Sequence, residues 1–184
     1  MSTIRTFVGA HIPETPELRH LLRRLQRIDG LPRTVATDGM HITLKFLGDV
    51  ESDQVDTIAA AARESAGLQK SSEIRLRGVG AFPNLRRPSV IWVGLQQAEF
   101  LATIAADLET RLEALGFPRD PRPFQPHVTL LRIKSRPPEE LFELLQASLD
   151  LGLGAVRVDA ITFYQSELRP EGSRYTKLAT CPLQ

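Results

Sequence analysis

The segment His41-Ile42-Thr43-Leu44-Lys45-Phe46-Leu47-Gly48 decides how the chain is read, because a near copy, His127-Val128-Thr129-Leu130-Leu131-Arg132, follows 86 positions later. Both runs alternate polar with aliphatic residues, the pattern of a half-buried strand. On a strand, residues i and i+2 stand about 6.6 Å apart on one face. Each histidine therefore shares a face with its threonine, while Ile42, Leu44, Val128 and Leu130 point to the other side. With four histidines and 13 threonines in 184 residues, chance supplies about 0.04 His-x-Thr-Leu per chain. Two copies need a cause.

Outward from these strands the same grammar runs on both sides. Apolar alternation predicts strands over 4–12, 40–47 and 73–82, then again over 89–95, 126–133 and 155–164, with a last run over 174–179 hairpinned through Arg169-Pro170-Glu171-Gly172. Spacings of three and four predict helices over 16–28, 52–67, 99–115 and 138–149, with Ser52 a candidate N-cap and Gly116 a stop. Phe7 and Trp92 are 85 apart, His41 and His127 86, Ile74 and Val156 82. Such matched offsets read as a duplicated β-α-β-α-β unit, with copies over roughly 3–83 and 88–180 in a single domain. The expected fold is α+β and bilobal, pseudo-twofold, with two antiparallel-type sheets facing a central cleft and helices outside. A motif present once per copy then meets itself in the cleft.

Composition is that of an ordinary globular chain: 42% hydrophobic, 24% charged, and 23 Lys+Arg against 22 Asp+Glu. A net charge of +1 excludes a polybasic coat but not a local basic pocket. The single cysteine, Cys181, excludes a disulfide framework and a zinc ribbon. No window approaches the ~20 apolar residues of a membrane span, and the first residues lack the features of a secretory signal, so the cytoplasm is the expected location.

Two imidazoles facing one site suit phosphodiester cleavage. With an unperturbed pKa of about 6.5, one ring can take a proton from water while the other gives one to the departing oxygen, with no metal or other cofactor. The threonine hydroxyls are too weakly ionisable to act as bases but can donate to non-bridging phosphate oxygens.

At these residues the chain resembles the two-histidine (2H) phosphoesterases, and within them the RNA 2′,3′-cyclic phosphodiesterases, also called 2′-5′ RNA ligases. The likeness extends over Phe7 and Ala10, residues 41–50, 78–83, the Arg86-Arg87-Pro88 turn, residues 122–130 with Arg132, residues 164–168, Gly172 and Tyr175. It implies hydrolysis of a terminal RNA 2′,3′-cyclic phosphate to a 2′-phosphomonoester, with ATP-independent 2′-5′ joining as the reverse. By the same likeness His41 is the proton donor, His127 the proton acceptor, and Thr43, Thr129 and Arg132 hold the phosphate. The implied partners are RNA 3′ ends with a cyclic phosphate, tRNA fragments among them, met by a monomer away from any membrane. The alternatives are a non-catalytic RNA-end binding module, or a diesterase for small cyclic nucleotides or 2′-5′ oligonucleotides.

Strict alternation conflicts with one of these roles. Arg132 is five residues after His127 and is aimed away from the cleft, unless the strand ends or bulges near Leu131 or the guanidinium wraps back from the rim. Lys45, four after His41, shares its face and is a second candidate cation, while Phe46 occupies the first motif's counterpart of Arg132. His11 and His20 lack a companion threonine and are read as structural. Trp92, Phe82, Phe124 and Phe163 are read as core. Arg86, Arg87, Arg119, Arg122, Arg136 and Arg174 fall in predicted loops, where they are solvated charge or, as a group, hold RNA phosphates at the cleft mouth. Residues 78–83 lack the Lys-Ser/Thr ending of a phosphate loop, which argues against an ATP-driven ligase.

Overall fold

The computed structural model describes residues 3–169 and 172–184. Among them the strands are β1 (Thr3–His11), β2 (His41–Glu51), β3 (Ser72–Phe82), β4 (Val90–Gln96), β5 (His127–Arg132), β6 (Gly152–Val158), β7 (Ala160–Arg169) and β8 (Gly172–Pro182). The helices are α1 (Pro16–Gln26), α2 (Val55–Ala66), α3 (Glu99–Ala114) and α4 (Glu139–Ala147). α1 starts where Thr15 Oγ1 accepts from the Leu18 amide at 3.1 Å, with Pro16 at the first helical position, and it buries Leu18, Leu21, Leu22 and Leu25. α2 begins three residues later than the pattern of the chain suggests, because Ser52–Gln54 form a 3₁₀ turn. α3 buries Leu101, Ile104, Ala105, Leu108 and Leu112 on one stripe. Among the described residues, no helix is long and apolar enough to cross a membrane.

All neighbouring strands are antiparallel, in the order β6-β3-β4-β5-β2-β1-β7-β8. The two expected sheets are four-stranded halves that meet through one pair, Ile42 opposite Val128. The sheet must curl strongly, because Val158 and Ala160 are two residues apart in sequence yet lie in strands of opposite halves. The C-terminus ties this junction, the Leu183 amide donating to Asp159 O at 2.8 Å. Right-handed twist accumulated over eight strands makes such a curl accessible.

The strand expected over 155–164 is therefore two strands, broken at Asp159. Ile74 and Val156, equivalent points of a repeat by their offset, are in fact cross-strand partners in the β3–β6 ladder. Reflection of the order about the β5–β2 junction exchanges β5 with β2, β4 with β1, β3 with β7 and β6 with β8. The lobes in space are thus not the halves of the sequence: β3 joins β4–β6, while β7 and β8 complete the half that holds β1 and β2. In the closing hairpin Arg169 pairs with Gly172; Pro170 and Glu171 of its turn lie outside the described residues.

Candidate active site

Ile42 and Val128 are wholly buried, and because they oppose each other they share the helix-facing side of the sheet. Alternation then puts His41, Thr43, His127 and Thr129 together on the opposite face. Carrying the register one residue to each side sets His41 across from Thr129 and Thr43 across from His127. The two histidines occupy a diagonal of that square, where Cα atoms stand about 7–8 Å apart. Both His-x-Thr motifs meet at the one pair that joins the lobes.

β-bulges decide which cation comes with them. In the β4–β5 ladder Trp92 opposes Thr129 but Ile91 opposes Leu131, so Leu130 is an extra residue. Leu130 and Leu131 are consequently both buried, and the phase of the strand flips beyond them. Arg132 emerges exposed on the histidine face, opposite Val90. Of the routes open to Arg132 from sequence, this is the bulge. Among the described residues no hydrogen bond or ion pair engages its guanidinium.

β2 bulges at the corresponding residue. Gly9 opposes Thr43 but Val8 opposes Lys45, which leaves Leu44 extra. Lys45 thus turns to the helix side, 4% exposed, where its Nζ donates to Glu109 Oε2 at 2.7 Å and to Pro118 O at 2.6 Å. The expectation that Lys45 shares the histidine face is corrected: it is a structural cation. Phe46, 49% exposed, takes the position that Arg132 takes in the other lobe, with the Arg5 guanidinium 4.7 Å from its ring centroid.

Each imidazole is fixed in the same way. His41 Nδ1 is 2.7 Å from Gly39 O and His127 Nδ1 2.7 Å from Gln125 O, the carbonyl two residues upstream in both cases. A carbonyl only accepts, so Nδ1 carries the proton and Nε2 is left for chemistry. His41 is the deeper ring. Burial holds its pKa below the ordinary histidine value, the Gly39 bond opposes this, and the charges of His11, Arg132 and His127 lower it further. Phe7 packs 4.6 Å from it, and Tyr175 meets it edge-on at 5.0 Å. His127 has its own aromatic wall, Phe82 at 5.2 Å and Trp92 at 6.3 Å. The Trp92 indole lies over the backbone of β3, where a Cβ on Gly80 would come within 2.2 Å of the ring.

Several of these residues escape a reading of the chain alone. His11, expected to be structural, pairs directly with His41 in the β1–β2 ladder and faces the same side, exposed. The alternation Phe7, Gly9, His11 is the signal that points to it. Phe82 and Trp92, expected in the core, flank His127. Among the loop arginines, Arg119 is held by Glu113 at 2.8 Å and Arg122 by Asp120 at 3.0 Å. No such partner among the described residues engages the guanidinium of Arg86 or Arg87.

Known proteins resemble this chain in sequence and in fold. Residues 13–169 match the model of the 2′-5′ RNA ligase superfamily. A protein of Methanothermobacter thermautotrophicus named RNA 2′,3′-cyclic phosphodiesterase is 31% identical over 180 residues, covering 95% of this chain and 96% of that one. One of Aeropyrum pernix with the same name is 38% identical over 154 residues, 81% of this chain and 85% of that one. A crystal structure from Thermus thermophilus superposes with a TM-score of 0.82 at 28% identity over 98% of each chain. A match that spans both histidine strands and the helices behind them leaves one conclusion: the chain belongs to the 2′-5′ RNA ligase superfamily.

Proposed function

We propose that the protein hydrolyses the terminal 2′,3′-cyclic phosphate of RNA to a 2′-phosphomonoester by two-histidine acid-base catalysis. The observation that carries this is the Ile42–Val128 pair, which brings two identically tethered imidazoles and two threonine hydroxyls to one face. The names of the relatives support the substrate class. His127 Nε2 takes a proton from water as the water oxygen bonds to phosphorus in line with the 3′ oxygen. The P–O3′ bond breaks, and His41 Nε2–H delivers a proton to that oxygen. Thr43 and Thr129 donate to the non-bridging oxygens, and Arg132 balances the charge that builds there. Phe46 offers an exposed ring on the same face for a base to stack on.

His41 must be protonated to act as the donor, although burial and the nearby Arg132 guanidinium disfavour that before substrate binds. A phosphate anion between the rings reverses the electrostatics and draws the proton on. Run backward with an RNA hydroxyl in place of water, the same displacement forms a 2′-5′ linkage without ATP. The reflected strand order also supports the reading of the chain as a duplicated unit with its third strands exchanged.

The test is turnover of a cyclic-phosphate oligoribonucleotide by wild type, His41→Ala and His127→Ala. Each variant should lose about 10²–10⁴-fold in kcat while keeping its circular dichroism spectrum, and wild-type activity should survive EDTA. Binding of the RNA end without formation of a phosphomonoester would leave a binding module instead.

A further inference from the structure

The two lobes differ at their outer strands. β8 pairs with β7 along its whole length, from Ala160 opposite Pro182 to Arg169 opposite Gly172, and walls off the His41 side with Tyr175. β6 pairs with β3 only from Ser72 opposite Val158 to Arg77 opposite Gly152. Beyond that point the chain turns toward α4, its last ties to β3 being the Gly78 amide on Leu151 O at 2.9 Å and the Val79 amide on Ser148 O at 3.0 Å. No strand among the described residues covers the outer edge of β3 from Gly80 to Phe82.

A cavity of about 770 Å³ opens there, within the range of about 300–1,000 Å³ typical of small-molecule sites. Gly80 and Trp92 line it, and the same two residues form the wall beside His127, so cavity and histidine face are continuous. Its floor is apolar, with Leu85, Phe142 and Leu149; Phe142 and Leu149 are two of the six large apolar side chains exposed among the described residues. Its rim holds Asn84, Arg86 and Gln146 and no carboxylate. Asn84 Oδ1 accepts from the amides of Arg86 and Arg87 at 3.0 and 3.1 Å, which shapes the turn. The other lining arginine, Arg77, is neutralised by two 2.7 Å bonds to Asp150, so Arg86 supplies the uncompensated charge.

We propose that this lateral cavity seats the nucleotide preceding the cyclic-phosphate residue of a single-stranded RNA. Its base stacks on Phe142, and the phosphodiester joining it to the end residue meets Arg86. A face with an exposed ring, apolar floor, amide rim and one free guanidinium matches single-stranded nucleic acid, which presents π-faces and one negative charge per step. Continuity with the histidine face through Trp92 makes the terminal nucleotide's own chain the occupant. This rests on the reading of the histidines given under Proposed function.

The test compares kcat/KM for a 2′,3′-cyclic mononucleotide and for an oligoribonucleotide ending in a 2′,3′-cyclic phosphate, in wild type, Arg86→Gln and Phe142→Ala. Both side chains are exposed or in a surface turn, and thermal melts verify that the variants stay folded. Each substitution should lower kcat/KM for the oligonucleotide about tenfold, the size of one stacked base or charge contact, and leave the mononucleotide unchanged. Arg86→Gln should also flatten the salt dependence of the oligonucleotide KM by about 0.7 in log–log slope. Equal losses on both substrates, or no loss on either, overturn the proposal. If the wild type hydrolyses neither substrate, the reading of the histidines fails. The cavity is then judged by fluorescence anisotropy with a 3′-phosphorylated oligoribonucleotide, whose binding must weaken in Arg86→Gln for the proposal to stand.

Discussion

His41 is buried against Phe7 and Tyr175 and feels the charges of His11, Arg132 and His127, and these surroundings set an expected pH dependence. As donor it must be protonated, and its pKa in the free protein lies below the ordinary histidine value, so the uncharged ring is favoured before substrate binds. Bound phosphate raises that pKa, so the alkaline limb of kcat should lie higher than that of kcat/KM, with proton uptake on binding between the two values. Identical pH profiles of kcat and kcat/KM, with no proton uptake on binding, would take the donor role from His41. The leaving group checks the same assignment independently. A phosphodiester that expels nitrophenolate needs no donated proton, so His41→Ala should lose far less on it than on a cyclic nucleotide, while His127→Ala loses equally on both. Parallel losses in the two variants would reject the division of roles.

At the scale of the element, the two bulges do what residue identity alone does not. Leu44 and Leu130 are the extra residues that turn Lys45 inward and Arg132 outward, although both cations lie within a few positions of a motif histidine. Lys45→Met removes the partner of Glu109 and of the Pro118 carbonyl, and should cost about 3 kcal/mol in urea unfolding. Because Lys45 stands behind the sheet, kcat should not change; a kcat that fell with an intact fold would return it to the histidine face. Gly80→Ala drives a methyl into the Trp92 ring and should destabilise by about 1–3 kcal/mol while lowering turnover through displacement of the wall beside His127. The order of elements was legible from periodicity, since each buries one stripe or one face. The break at Asp159 was not, because the slip in alternation from Val156 and Val158 to Ile161 and Phe163 also fits a bulge within one strand, and only the pairing of the two pieces with β3 and β1 separates them.

At the scale of the molecule, the lobes are interleaved in sequence and meet through a single ladder pair, yet neither is complete without chain from the other half. A fragment of residues 1–87 keeps β3 without β4 or β6 and β1 without β7, and should show no cooperative unfolding by circular dichroism. The full chain should unfold in one transition by fluorescence and circular dichroism alike. A folded fragment would mean that each sequence half closes on itself. The curl that lets Val158 and Ala160 reach opposite halves also leaves β3 uncovered where β6 turns away, and so creates the lateral cavity.

Local pattern by itself determined the helices, the strands apart from the division at Asp159, and the pairing of each histidine with a threonine, because alternation and helical spacing are properties of a few adjacent residues. Tertiary structure alone decided that β3 and β7 change lobes, that His11 stands across from His41, and that Arg132 rather than Lys45 accompanies the imidazoles. Those outcomes depend on register between strands distant in sequence. One extra residue in a ladder reverses the face of everything after it, and no stretch of a single strand records where its partner will slip.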